Sequence, residues 1–285
     1  MNASSSEATC KPPRCTLDTA CSVILVFLLS GSETAQQYTL VWFYSSRFRQ
    51  QQNRLHASLG SFCWSTTMTQ RLLNKRVLIT QADDYMGPAT EELFAAEGAI
   101  VTTDTSDLRA AGRCEDLVKN AGDIDVLIAN LASANFSGIA TAELSDDDWH
   151  TAFDIMVHPL HRLCRAVLPQ MMQRGAGKIV VYGSAAALRG MRTLAAYSAA
   201  RAAQVGYVQA LGVEAAPHNV QVNLIAQNYV ENPVYYPQSL REQESFQKSL
   251  RRQVPLGRLA TAKEDAEFAL FLASDNSDFF VGQAI

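Results

Sequence analysis

The sequence predicts an α/β fold, a doubly wound parallel sheet carried by residues 68–285. Two observations lead there. From Arg76 onward, short apolar runs alternate with helical stretches, the pattern of consecutive βαβ units. The runs are also short and mostly apolar, as expected of a parallel sheet covered on both faces.

The first run is Arg76–Thr80. A helix over Pro88–Gly98 follows its turn, with Pro in the first helical turn and Gly at the end. Ala99–Thr103 is the second strand and Ile124–Ile128 the third; the interval Asp104–Ile124 is short for a helix plus a strand. Asp147–Met172 reads as one long helix, with Phe153, Met156, Val157, Leu160, Leu163, Cys164 and Val167 on its apolar side. Lys178–Tyr182 is a strand, Tyr197–Ala215 an Ala-rich helix, Val220–Ile225 a strand and Glu264–Ser274 a last helix. The chain ends at Ile285 where a final strand is due, so the sheet is expected to lack that strand. Right-handed crossovers make the topology Rossmann-like and place the site outside the carboxyl ends of the strands. Thr80, Asn130, Ser184 and the loop after Ile225 fall there.

Composition sets bounds. The 285 residues are 48% hydrophobic and 18% charged with a net charge of −4, which suits a packed core and leaves no basic footprint for nucleic acid. Residues 1–67 differ. They carry a small basic excess and four of the six Cys, and no acid occurs from Thr34 to Ala82. The apolar run Ala20–Leu29 is too short to span a bilayer and suits a signal-peptide core, whereas Tyr38–Thr67 is closer to a transit peptide. This extension reads as targeting-like or dispensable, with a functional start at Met68 and a cytoplasmic location in that case. Cys114 and Cys164 read as small buried hydrophobes. His158 and His161, three apart on a helix, read as ordinary helix residues rather than a metal pair.

The chemistry lies in two motifs. The first βα turn reads Thr80-Gln81-Ala82-Asp83-Asp84-Tyr85-Met86-Gly87. A dinucleotide needs bare backbone at this helix N-terminus. Only Gly87 is in place; Tyr85 puts a ring into that space, and Asp83 and Asp84 oppose a pyrophosphate. In the second motif, Ser184 ends a strand, while Tyr197 and Arg201 share one helix face. A guanidinium beside a phenol favours the phenolate, a usable base near neutral pH.

Ser184, Tyr197 thirteen residues on and Arg201 four beyond resemble the short-chain dehydrogenase/reductase superfamily. Arg in place of the usual Lys, with Thr80, Tyr85 and Gly87 in the turn, is similar to the halohydrin dehalogenase branch. Asn228–Pro237 looks like that family's halide loop; Val254–Leu259 and Val281–Gln283 look like its C-terminal landmarks. The resemblance implies a cofactor-free lyase that turns haloalcohols into epoxides and opens epoxides with small anions. Ser184, Tyr197 and Arg201 would be catalytic. Thr80, Tyr85, Gly87, Asn228, Tyr229, Val230 and Tyr235 would hold halide or substrate. A homo-oligomer packed through the helices at 147–172 and 197–215 is implied as well.

Met156, where typical dehydrogenases carry an active-site Asn, fits loss of the redox role. Two positions depart from the dehalogenase pattern: Gln227 replaces a loop Pro, which would loosen the loop or add a polar donor to the pocket, and Leu131 stands where an Asp near the arginine is usual. Asn130 is expected to be structural. Two other readings stay open. One is an NAD- or NADP-dependent oxidoreductase, using Gly87, Asp104 and Asn130 for the coenzyme; Asp104 could equally cap the next helix. The other is an inactive oligomer subunit.

Overall fold

The computed structural model describes residues 70–133 and 138–285, and the backbone of two short strands near the N-terminus. The chain divides into two units, Met1–Thr66 and Thr67–Ile285. In the first, β1 (Phe27–Leu29) pairs antiparallel with β2 (Tyr38–Leu40). The end of the Ala20–Leu29 run is therefore strand; the rest of the targeting-like reading lies outside the described residues.

The second unit is a three-layer α/β sandwich. Its sheet has the order β4-β3-β5-β6-β7, all parallel. The strands are β3 (Arg76–Thr80), β4 (Ile100–Asp104), β5 (Val126–Ala129), β6 (Gly177–Tyr182) and β7 (Val220–Ile225). Side chains alternate between two cores because strand neighbours point to opposite faces. Leu78, Leu127, Ile179 and Val222 pack with Cys114, Leu163 and Val208 on one side. Val77, Ile79, Ile128 and Val180 pack with Phe94, Ala269 and Leu270 on the other. Cys114 and Cys164 are both buried and free.

The helices are α1 (Gly87–Ala96), α2 (Arg113–Ala121), α3 (Asp146–Met156), α4 (His158–Arg174), α5 (Ala195–Ala215), α6 (Gln238–Arg241), α7 (Glu244–Gln253) and α8 (Ala262–Ala273). The nine-residue α2 fits the short interval before β5, and α6 and α7 were not anticipated. The expected long helix is two. It breaks at Val157 (φ −104°, ψ −52°), with Pro159 opening α4. Proline lacks the N–H that Ile155 would bond in a continuous helix, and its ring crowds the preceding turn. At the chain end, Gly282 and Ile285 donate to Val222 and Leu224, and Leu224 and Ala226 donate to Gln283 and Ile285. The last residues thus enter the ladder beside β7 in parallel register. Among the described residues no helix is long and apolar enough to cross a membrane.

Candidate active site

A cavity of about 280 Å³ opens at the carboxyl ends of β3, β5, β6 and β7. Its wall includes Tyr85, Ser184, Tyr197, Arg201, Asn228, Tyr229, Val230 and Tyr235, residues from four segments of the chain. Ser184 follows β6 in extended conformation, and its hydroxyl accepts from the Ala186 N–H at 3.2 Å. Tyr197 lies in the first turn of α5, with the Arg201 guanidinium 5.1 Å from its ring centre. Tyr235 comes from the loop after β7. Asn232 shapes that loop by accepting from the Val234 and Tyr235 N–H groups through its side-chain oxygen. The Tyr235 hydroxyl donates to the Ser133 carbonyl at 2.9 Å. Its ring lies 5.3 Å from that of Tyr85 and 6.5 Å from that of Tyr197.

Arg201 is 2% exposed, and Nη1 donates only to neutral oxygens: Tyr182 O at 2.8 Å, Gln204 Oε1 at 2.9 Å and Leu131 O at 3.0 Å. Leu131 therefore contributes its backbone carbonyl, and among the described residues no carboxylate pairs with Arg201. A buried charge needs a partner. The consequence is visible in the tyrosines. Burial pushes Tyr85 up to about 12, with Asp84 adding to it, and burial also raises Tyr182, Tyr235 and Tyr236. Tyr197 moves the other way. Its burial is outweighed by the charge of Arg201 and by the groups of Tyr235 and Ser184, leaving it below the ordinary tyrosine value.

Not every expected residue reaches the cavity. Thr80 is fully buried, and its hydroxyl accepts from the Asn130 N–H at 3.1 Å, which ties β3 to β5 instead of touching substrate. Gly87 opens α1 and serves packing: a Cβ there would sit 2.4 Å from the Ala82 carbonyl oxygen. Asn130 does line the cavity, and its amide donates to Gln81 O and Asp84 O at 2.9 and 3.0 Å, bracing the turn. Gln227 borders the cavity, and its amide donates to Asp265 on α8 at 2.5 Å. The Tyr229 N–H meets the Tyr236 hydroxyl, those of Asn228 and Val230 have no backbone acceptor among the described residues, and Tyr229 is left-handed at φ 56°. N–H groups flanking such a residue suit a small anion. Elsewhere, His158 pairs with Asp154 at 2.8 Å and His161 packs edge-on against Tyr207. Among the described residues no three metal-ligating groups gather.

The turn between β3 and α1 stands where a dinucleotide's pyrophosphate would approach the backbone. Gln81 (φ 48°) and Tyr85 (φ 48°) keep the left-handed backbone that glycine would favour, yet both carry large side chains. Gln81 spans to β5's end, donating to Ala132 O at 3.1 Å and accepting from Ala132 N at 2.8 Å. The Tyr85 N–H, just ahead of the helix, already donates to the Asp84 carboxylate at 2.8 Å, which puts a negative charge in the turn. Asp104 accepts twice from the Ser106 hydroxyl and pairs with Arg113 at 3.4 Å. It therefore caps no helix, and its carboxylate is engaged where a ribose would need it. Large side chains and two carboxylates thus stand where glycines and a free acid would receive a dinucleotide.

Comparison with known proteins sets this site in a family. The sequence pattern of a family described as enoyl-(acyl carrier protein) reductase matches residues 57–285. The chain belongs to the short-chain dehydrogenase/reductase superfamily. It is 30% identical over 242 residues to 2-keto-3-deoxy-L-fuconate dehydrogenase of Xanthomonas campestris pv. campestris, covering 76% of this chain and 80% of that one. It is 28% identical over 236 residues to 3-oxoacyl-(acyl-carrier-protein) reductase of Salmonella typhimurium, covering 74% and 94%. A solved structure described as a dehalogenation enzyme superposes with a TM-score of 0.70 at 30% identity, covering 75% of this chain and 96% of that one. Within this superfamily member, sequence reasoning missed Gln204, Ser133, Met191 and Leu194. The Ser-Tyr-Arg spacing had no way to flag them: Ser133, Met191 and Leu194 come from unremarked loops, and Gln204, on the helix of Tyr197 and Arg201, carries no chemistry of its own.

Proposed function

We propose that this superfamily member is a cofactor-independent halohydrin dehalogenase. The observation that carries the reading is the Tyr85–Tyr235 pair, 5.3 Å apart, closing the coenzyme turn in front of the Ser184, Tyr197 and Arg201 side chains. A vicinal haloalcohol binds with its hydroxyl between Ser184 and Tyr197. Tyr197, as phenolate, takes the hydroxyl proton. The alkoxide oxygen forms a bond to the neighbouring carbon as the carbon–halogen bond breaks, and halide leaves with the electron pair. Ser184 steadies the oxygen throughout, and holding the reacting atoms in line supplies much of the rate. Halide rests near Tyr85, Tyr235 and the N–H groups of Asn228 and Val230. In reverse, a small anion opens the epoxide. Half-exposed Trp149 on α3 and exposed Val213 on α5 leave apolar surface on the helices expected to join subunits in a homo-oligomer.

The test is halide release from a small chloro- or bromo-alcohol by the full chain and by Tyr197→Phe. Release by the first and loss of at least a hundredfold in the second support the reading. Equal release by both overturns it. The second reading, an NAD(P)-dependent oxidoreductase, is favoured by the names of the relatives at 28–30% identity. Calorimetry with NADH and NADPH separates the two, and micromolar binding would replace the dehalogenase assignment.

A further inference from the structure

Gln204 lies one helical turn after Arg201 on α5 and is fully buried. Its oxygen accepts from Arg201 Nη1 at 2.9 Å, and its amide donates to the Met156 carbonyl at 2.7 Å. Met156 ends α3. In an unbroken helix its carbonyl would accept from the residue four ahead; the break before Pro159 leaves it among the free carbonyls of a helix end. A glutamine satisfies this pair of needs and a carboxylate does not. It can accept from the guanidinium and donate to the carbonyl at once, whereas an ionised acid has no donor. It also carries no charge.

We propose that Gln204 is a positioning residue that fixes the Arg201 guanidinium without neutralising it, so that the guanidinium's charge is left to the Tyr197 hydroxyl. The inference rests on the dehalogenase reading only for its kinetic consequence. The other titratable or charged groups around Tyr197 are Tyr235 and Tyr236 on the loop after β7, and Tyr85 with Asp84 in the turn after β3. None of these supplies positive charge, so the charge that favours the phenolate is that of Arg201, beside the hydroxyls of Tyr235 and Ser184. A negative charge at position 204 would compete for it directly.

The experiment is an ultraviolet phenolate titration of the full chain, of Gln204→Glu and of Gln204→Met, each read against the same protein carrying Tyr197→Phe. The subtraction isolates Tyr197. Gln204→Glu adds an isosteric negative charge, and Gln204→Met removes the acceptor. A rise of the Tyr197 midpoint by one pH unit or more, a tenfold smaller phenolate fraction at neutral pH, is expected in either variant. Thermal melts confirm that each is folded, and the conservative Glu variant serves if Met is not. Unchanged midpoints in the folded variants overturn the proposal. Halide release is measured alongside, and its acid limb should move up with the midpoint. A titration shift without halide release from any protein retains Gln204's role and removes the dehalogenase reading; halide release with unmoved midpoints does the opposite.

Discussion

Replacing Tyr85 by glycine separates the site's chemistry from its stability. Tyr85 sits at φ 48°, a left-handed conformation that is strained for a residue with a Cβ. Glycine relieves about 1–2 kcal/mol of that strain. The lost ring pair with Tyr235 costs about 1 kcal/mol, and the lost half-buried apolar ring about another. The terms nearly cancel, so Tm should move by no more than about 4 °C for a domain of this size. Binding should not cancel. A hydrogen bond to a charged partner contributes about 1.5–3 kcal/mol, so the constant for bromide inhibition of halide release should weaken ten- to a hundredfold. NADPH should still not bind, because the Asp84 carboxylate remains in the turn and Gln81 remains clamped on Ala132. A bromide constant within twofold of the parent, in a protein of parental Tm, would refute the role given to the ring.

Other outcomes follow from the same contacts. Halide release should fall as pH drops through the lowered Tyr197 value, since the base is the ionised form; a pH profile of kcat/KM checks this. Asp265 is pushed up to about 6 by burial, against the Gln227 amide. The folded state therefore holds its proton more tightly than the unfolded chain, and stability is lost as pH rises from about 4 through 6. Asp265→Asn should then stabilise by on the order of 2 kcal/mol at pH 8 and by nothing at pH 4, read as Tm at both pH values. Thr90→Val strands the buried Tyr182 hydroxyl, now 2.7 Å from the threonine oxygen, and should cost about 1–3 kcal/mol in denaturant melts. Gly87→Ala drives a Cβ into the Ala82 carbonyl and should destabilise by about 1–3 kcal/mol while weakening bromide inhibition, because the shifted turn carries Tyr85 with it.

Much of this protein was legible along the chain because its signals are local. Apolar runs such as Val77–Ile79 and Val126–Ala129 are covered on both faces, so they read as strands without any neighbour in view. Tyr197 and Arg201 share a helix face by spacing alone, and Tyr85 declared itself by standing in a glycine's position. What depended on the third dimension was the destination of each polar side chain. Thr80 and Gly87 matched a motif and went to packing, while unremarked Gln204 went to the arginine. The partners lie far apart in sequence, 48 residues from Gln204 to Met156 and 38 from Gln227 to Asp265. A buried amide must bond to whichever carbonyl or carboxylate the packed layers bring before it, and a linear pattern carries no record of that meeting.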